Sequence, residues 1–227
     1  MRYMICAMLT AALGCSLING EDELPPPPDR ATILFDGTDF SNWEHTDGRP
    51  VEWEIEGMAM RVVPGKDSIM TREAYQDFRL HIEFLVPELE PQVKGQSRGN
   101  RGNSGVYLQR RYEVQILDSN GLVSENYDCG ALYRFKAPDR NVCKPAGEWQ
   151  TYDITFNAPL WEGAGESLKK VKNARITVLH NDVMIHDQVE LPNKTGAGKK
   201  EGPEPGPILL QDHGNEVMFR NIWIIPQ

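Results

Sequence analysis

Two stretches of the chain carry amide, carboxylate, phenol and imidazole groups at spacings suited to gripping a polyhydroxylated ligand and moving a proton. The first is Asn103-Ser-Gly-Val-Tyr-Leu-Gln-Arg-Arg-Tyr-Glu-Val-Gln-Ile-Leu-Asp118. If Val106 and Leu108 point into a core, Asn103, Tyr107 and Gln109 point away from it. If Val114 and Ile116 do the same, Glu113 and Gln115 join that outer set. The short Arg110-Arg111-Tyr112 connection predicts a hairpin, which makes one patch of the five polar residues. Amides and carboxylates can bond adjacent hydroxyls while aromatic rings cover a sugar's C–H face. The same pattern also describes the solvated outer face of an ordinary sheet.

The second stretch is Pro207-Ile-Leu-Leu-Gln-Asp-His-Gly-Asn215. Gln211 and His213 share a face, opposite Leu210 and Asp212. His213 is the only histidine within a polar cluster, and imidazole is the side chain that exchanges protons near neutral pH.

The elements that must position these groups read as strands. Arg79-Leu-His-Ile-Glu-Phe-Leu-Val86 sets Leu80, Ile82, Phe84 and Val86 on one face and Arg79, His81 and Glu83 on the other. Val106/Leu108, Val114/Ile116, Ile176/Val178 and Ile222/Ile224 repeat the alternation. Period two over many short runs, punctuated by 20 Gly and 16 Pro, predicts an all-β domain of antiparallel sheets in a two-sheet sandwich. No stretch has the 3.6-residue spacing of a long amphipathic helix, and no internal repeat is visible. Pro192 to Pro207, rich in Gly, Pro and Lys, reads as a surface loop.

At the other end, residues 1–20 read as a secretory signal: Arg2, an apolar run to Ile18, then small residues. The run is shorter than the roughly 20 apolar residues a spanning helix needs, so no membrane span is expected after its removal. Residues 21–30 form an acidic, Pro-rich tether, and a single domain is expected over 31–227. The expected location is periplasmic or extracellular. Cys6 and Cys15 fall in the signal; Cys129 and Cys143 remain, and an oxidising compartment favours a disulfide between them.

Composition and missing motifs remove several function classes. The chain has 33 Asp and Glu against 24 Lys and Arg, a net charge of −9, and no basic block, which argues against nucleic acid. Gly95-Gln-Ser97-Arg-Gly99 matches a nucleophile-elbow pattern but lacks the strand before and the helix after. Gly196-Ala-Gly-Lys199 lacks the features of a phosphate loop. No H-E-x-x-H and no G-x-G-x-x-G occurs, so zinc-protease and dinucleotide chemistry are disfavoured.

The ordered set Leu34-Phe-Asp-Gly37, Trp43, Trp53-Glu-Ile-Glu-Gly57, Gly102-Asn-Ser-Gly-Val106, Tyr112-Glu-Val-Gln-Ile-Leu-Asp118, Gly147-Glu-Trp149, Gly206-Pro-Ile-Leu-Leu-Gln-Asp-His-Gly214 and Phe219-Arg-Asn-Ile222 resembles the 3-keto-disaccharide hydrolase domain family. Two places depart from it: Gln150 stands where Asn is frequent, and Asn181-Asp182 replaces an Asn-Gly turn. The resemblance implies a concanavalin-like jelly roll whose concave sheet carries a sugar site. It also implies action on glycosides already oxidised at C3 by a partner dehydrogenase.

A 3-keto group acidifies the C2 hydrogen, so the expected reaction is proton abstraction, loss of the C1 aglycone and addition of water. Glu113 and His213 are the expected base and acid, in either order. Asn103, Gln115 and Gln211 would orient hydroxyls or the enolate, and Arg220 would offset charge if it faces the cleft. No cofactor is expected, although Glu113, Asp212 and His213 would be the donors for a divalent cation polarising the ketone. The competing expectations are a non-catalytic carbohydrate-binding module on the same fold and a structural role in the envelope.

Overall fold

A computed structural model describes residues 26–88 and 101–227. The signal, the first half of the tether and the Gly95–Gly99 motif lie outside the described residues. Those described form antiparallel strands and one 3-10 turn, Gly165–Ser167. The larger sheet runs through β13 (Val183–Leu191), β12 (Ala174–His180), β9 (Trp149–Asn157), β6 (Phe78–Leu85), β15 (Met218–Pro226), β4 (Ala59–Arg61) and β3 (Glu54–Glu56). Strand β1 (Thr32–Phe35) pairs with the far half of β15. The smaller sheet runs β2 (Trp43–His45), β5 (Ile69–Thr71), β14 (Leu209–Leu210), β7 (Ser104–Leu108) and β8 (Tyr112–Ile116). A ribbon of β10 (Leu160–Glu162) and β11 (Lys169–Lys172) stands apart. This is the expected all-β, concanavalin-like jelly-roll sandwich of two antiparallel sheets.

Alternation does the sorting. Leu80, Ile82 and Phe84 of β6 are fully buried between the sheets, as are Val106, Leu108, Val114 and Ile116 of the smaller sheet. The layers are tied by specific contacts as well as by area. The Tyr112 and Phe156 rings meet at 5.4 Å, and the Tyr152 hydroxyl donates to the Gln115 carbonyl at 2.7 Å. Fully burying one such side chain is worth roughly 1.5–3 kcal/mol.

The two departures from the family pattern are both structural. Gln150 is fully buried, and its Oε1 accepts the Lys144 amide and faces His180 Nε2, each at 2.9 Å. Asn181 and Asp182 have φ of 50° and 62°, left-handed values that the turn between β12 and β13 uses and that Asn and Asp tolerate. Cys129 and Cys143 are buried free thiols in this structure and not a disulfide. They share a hydrogen bond; burial pushes the Cys129 thiol up, and its neighbour holds the Cys143 thiol down.

Arg220 corrects an expectation. Simple alternation with Ile222 and Ile224 would turn it inward, but the ladder between β15 and β6 slips between Arg220 and Trp223. Asn221 sits there at φ 46°. The bulge sends Arg220 and Asn221 together to the outer face of the larger sheet, away from the second layer. There Arg220 Nε and Asn221 Nδ2 donate to the two oxygens of Glu83 at 2.7 and 2.8 Å, and the guanidinium lies 4.0 Å from the Trp149 ring centre. His81 completes this network, 3.2 Å from Asp153 and stacked on Trp223. Burial alone would lower the His81 pKa, but Asp153 and Glu83 carry it up to about 9. Burial works against ionised Glu83 too, yet His81, Asn221 and Arg220 bring it to about 2.

A β-branched residue cannot adopt the Asn221 conformation without strain. Asn221→Val should therefore cost about 2–3 kcal/mol in urea unfolding, combining backbone strain with a lost charged hydrogen bond. Asn221→Gly keeps the conformation and should lose only the hydrogen-bond share. Equal losses in the two variants would remove the backbone from this account.

Candidate active site

The site is built on the hairpin of β7 and β8. Leu108 O accepts the Arg111 amide at 2.9 Å, and Gln109 and Arg110 between them have φ of 54° and 56°. The tight turn is thus Gln109-Arg110, two residues earlier than Tyr112, which already belongs to β8. It locks a register in which Tyr107 faces Glu113 and Gly105 faces Gln115. Gln211, the residue that follows β14, joins them through its backbone amide, which donates to the Gly105 carbonyl at 3.1 Å.

Five of the expected residues therefore share the outer face of the smaller sheet. Gln115 Nε2 donates to Asn103 Oδ1 at 2.9 Å, and Gln211 Nε2 donates to the Tyr107 hydroxyl at 3.3 Å. Tyr107 stands beside Glu113 in the paired strand. The Glu113 side chain folds back over Gly105, where an added Cβ would lie 2.5 Å from Glu113 Oε1. Any larger residue at 105 would displace the carboxyl.

This face is covered. Glu113 and Gln115 are each only 2% exposed. The segment read as a surface loop between β13 and β14 lies over the hairpin. Thr195 Oγ1 accepts the Glu113 amide at 2.7 Å, and the Thr195 amide donates to Arg111 O at 3.0 Å. Its glycines permit this approach: an added Cβ at Gly198 would lie 2.0 Å from Arg111 O, and one at Gly206 2.8 Å from Gln109 Cα. Glu201 anchors the segment through the Tyr112 hydroxyl and Lys170. A second cover, between β8 and β9, contributes Tyr133, whose amide donates to Glu113 O at 3.1 Å. Alternation cannot reveal Thr195, Gly196 or Tyr133, because they come from irregular segments.

Burial without full pairing gives the site its electrostatics. Glu113 Oε2, Gln115 Oε1 and Gln211 Oε1 are buried acceptors with no hydrogen-bond partner among the described residues. Burial drives the Glu113 carboxyl up to about 7, with the Tyr107 hydroxyl pulling slightly the other way. The carboxyl is thus poised between acid and base near neutral pH. Its neighbours Gln115 and Tyr133, with Asn103, Tyr127 and Arg134, line a pocket of about 200 Å³ whose wall, among the described residues, does not include Glu113 itself. A larger groove of about 540 Å³ at the edge of the other sheet is walled by exposed side chains such as Lys172, Arg175 and Glu190 and contains no buried titratable group.

The remaining expected residues lie elsewhere. Gln109 is buried in the turn, where Nε2 donates to Tyr75 O at 2.9 Å and Oε1 accepts from Arg111 at 2.8 Å, so it shapes the hairpin. Asp212 accepts the Gly65, Asp67 and Gly214 amides at 2.8, 3.2 and 2.8 Å, holding two loops together. His213 is exposed at the crest of a loop tied to the site by Asn215 Oδ1, which accepts the Asn103 amide at 2.6 Å. Its imidazole makes no hydrogen bond or ion pair among the described residues. Arg220 belongs to the opposite sheet's outer face, as described above. Glu113, Asp212 and His213 do not converge as metal ligands: no group of three or more His, Cys, Asp or Glu among the described residues could hold an ion. The backbone amides already occupy both Asp212 oxygens.

The raised Glu113 pKa implies a pH-dependent instability. Below about pH 4.5 the carboxyl is protonated in both folded and unfolded chains; between there and about 7 only the unfolded chain releases its proton. Stability therefore falls across that window, by about 3 kcal/mol in total. Glu113→Gln should match the parent at pH 4 and exceed it by about that amount at pH 8 in urea unfolding. Tyr107→Phe should move the Glu113 titration, followed by carboxyl carbon NMR, to still higher pH. A Glu113 midpoint near 4.5 in the parent would contradict the burial argument.

Comparison with known proteins agrees with this architecture. A 3-keto-disaccharide hydrolase of Bacteroides thetaiotaomicron is 25% identical over 89% of this chain and 80% of its own length. A solved structure from Parabacteroides distasonis, described as a candidate glycosyl hydrolase, is 31% identical with a TM-score of 0.79. The match covers 97% of this chain and all of that one. A second from the same organism, at 18% identity and TM-score 0.65, shares the fold over 87% of this chain and 94% of its own. The model of the 3-keto-alpha-glucoside-1,2-lyase-like domain matches residues 30–225, and the chain belongs to that family.

Proposed function

We propose that this protein cleaves 3-keto-glycosides, with Glu113 moving the C2 proton. The observation carrying this reading is the set of buried, unpartnered acceptors around a carboxyl whose pKa is near 7. Unpaired acceptors call for donors, and a sugar supplies hydroxyls. In the proposed reaction the Glu113 carboxylate takes the proton from C2, and the electron pair moves into an enolate at the C3 ketone. Collapse of the enolate breaks the C1–O bond, leaving a C1=C2 double bond conjugated to the ketone. Glu113, which has just gained a proton, can return it to the departing oxygen; His213, on the exposed loop that Asn215 ties to Asn103, is the proposed alternative donor. Water then adds across the double bond to give the free 3-keto sugar. Asn103, Gln115 and Gln211 orient the hydroxyls and meet the enolate, and Tyr107 positions Glu113.

The substrate must be made by an oxidation at C3, so a dehydrogenase acting on glycosides is the proposed functional partner. Export is proposed from the signal-like residues 1–20. In an oxidising compartment the adjacent thiols Cys129 and Cys143 are proposed to join. Alkylation of the denatured protein recovered from the periplasm or medium should then label neither thiol; two labelled thiols would count against the bond.

The direct test uses 4-nitrophenyl 3-keto-glucoside and follows release of 4-nitrophenolate. Glu113→Gln should lower kcat about 10²–10⁴-fold, the usual range for losing a general base, with circular dichroism unchanged. His213→Ala should lower it less. In deuterated water, product should carry deuterium at C2. Binding of the sugar without turnover by the parent protein would identify a binding module in place of an enzyme.

A further inference from the structure

We infer that the pocket beside Glu113 is a subsite for a negatively charged substituent, a carboxylate or sulfate on the sugar or its leaving group. The pocket's charge selectivity stands on its own lining; only the identity of the substrate depends on the reaction proposed for Glu113.

Arg134 supplies the charge. It has φ of 60°, and its amide donates to Asn126 O at 2.6 Å, so the backbone holds it in a left-handed conformation. Its guanidinium carbon lies 5.4 Å from the Tyr133 ring centre, within cation–π range. Gly196 backs that ring so tightly that an added Cβ would lie 2.4 Å from Tyr133 Cδ1. The aromatic platform is therefore fixed, and the cation rests on it at the pocket wall.

Arg134 is also unpaired. Arg79, Arg101 and Arg220 each have a carboxylate oxygen within 3.2 Å, whereas Arg134 has none among the described residues. Among the described residues no Asp or Glu lines the pocket. In a chain with a net charge of −9, an exposed guanidinium at a pocket free of carboxylates is a local reversal of sign. Gln115 lines the same pocket, and its Oε1 is a buried acceptor with no hydrogen-bond partner among the described residues, which a hydroxyl of the same ligand can satisfy. A hydroxyl and an anion in one ligand describe an acidic glycoside better than a neutral one. Guanidinium–carboxylate pairing is planar and bidentate, which orients the ligand as well as attracting it.

A matched pair of substrates tests this: phenyl and 4-carboxyphenyl 3-keto-glucoside, identical except for the leaving-group charge. The parent protein should show a KM about tenfold lower for the charged member, with the difference shrinking as salt is raised. Arg134→Gln should bring the KM ratio of the charged and neutral members to about one, and Arg134→Lys should restore part of the preference. Arg134 is exposed, so the variants should keep the parent's circular dichroism. Equal KM values in the parent, or an unchanged ratio in Arg134→Gln, would overturn the assignment. Should neither substrate be cleaved, the proposed reaction fails on its own. Calorimetric binding of phenyl and 4-carboxyphenyl glucoside then decides the subsite, with the same tenfold preference and the same loss in Arg134→Gln expected, and equal affinities overturning it.

Discussion

A carboxyl group confined almost without solvent, with one oxygen unpaired among the described residues, is the constraint around which the smaller sheet is organised. Glu113 reaches that state through three separate devices. The hairpin register places it opposite Tyr107, Gly105 leaves room for its carboxyl, and two irregular segments close over it. Each device is local, and each is needed. Without the glycine the carboxyl would be displaced; without Thr195 the Glu113 amide would lose its 2.7 Å acceptor. Burying an incompletely paired acid is unfavourable to folding, and that cost keeps its proton exchangeable near neutrality.

The two sheet faces treat charge in opposite ways. On the outer face of the larger sheet, Glu83 is surrounded by His81, Arg220 and Asn221, and its pKa falls to about 2. Its partner His81 rises to about 9. Glu83 and His81 therefore keep opposite charges throughout the physiological range, which suits a structural network. On the smaller sheet's outer face, no described cation pairs with Glu113, and its pKa moves the other way. The lowered and the raised carboxyl are thus separated by whether a cation is within reach, both side chains being buried.

Much of this was legible in the sequence, and the limits of that reading have physical causes. Period two correctly grouped Asn103, Tyr107, Glu113 and Gln115, because regular strands must send alternate side chains to opposite faces. It failed wherever the backbone leaves the β region. Gln109 has the parity of Tyr107 but sits at φ 54° in a turn, and its amide is committed to Tyr75. Arg220 has the parity of Ile222 and Ile224, but the bulge at Asn221 reverses it. Asp212 and His213 lie beyond the end of β14, where no ladder imposes alternation. The glycines of the 192–207 segment were visible as breakers; that they are spacers for close contact with the hairpin requires the partner surface.

The loops also explain how one jelly roll can discriminate among ligands without altering its sheets. The sheet supplies amides and the carboxyl, which suit any hydroxyl-rich ring. The pocket wall comes from irregular chain: Tyr127, Tyr133 and Arg134 lie between β8 and β9. Substitutions there change charge and shape without breaking a ladder or opening the core, since Arg134 is exposed and its backbone is held by Asn126 O. In the proposed reaction, proton transfer and ligand choice would thus fall to separable parts of the chain. Glu113 is the link between them, because Tyr133 hydrogen-bonds its carbonyl and Thr195 accepts from its amide.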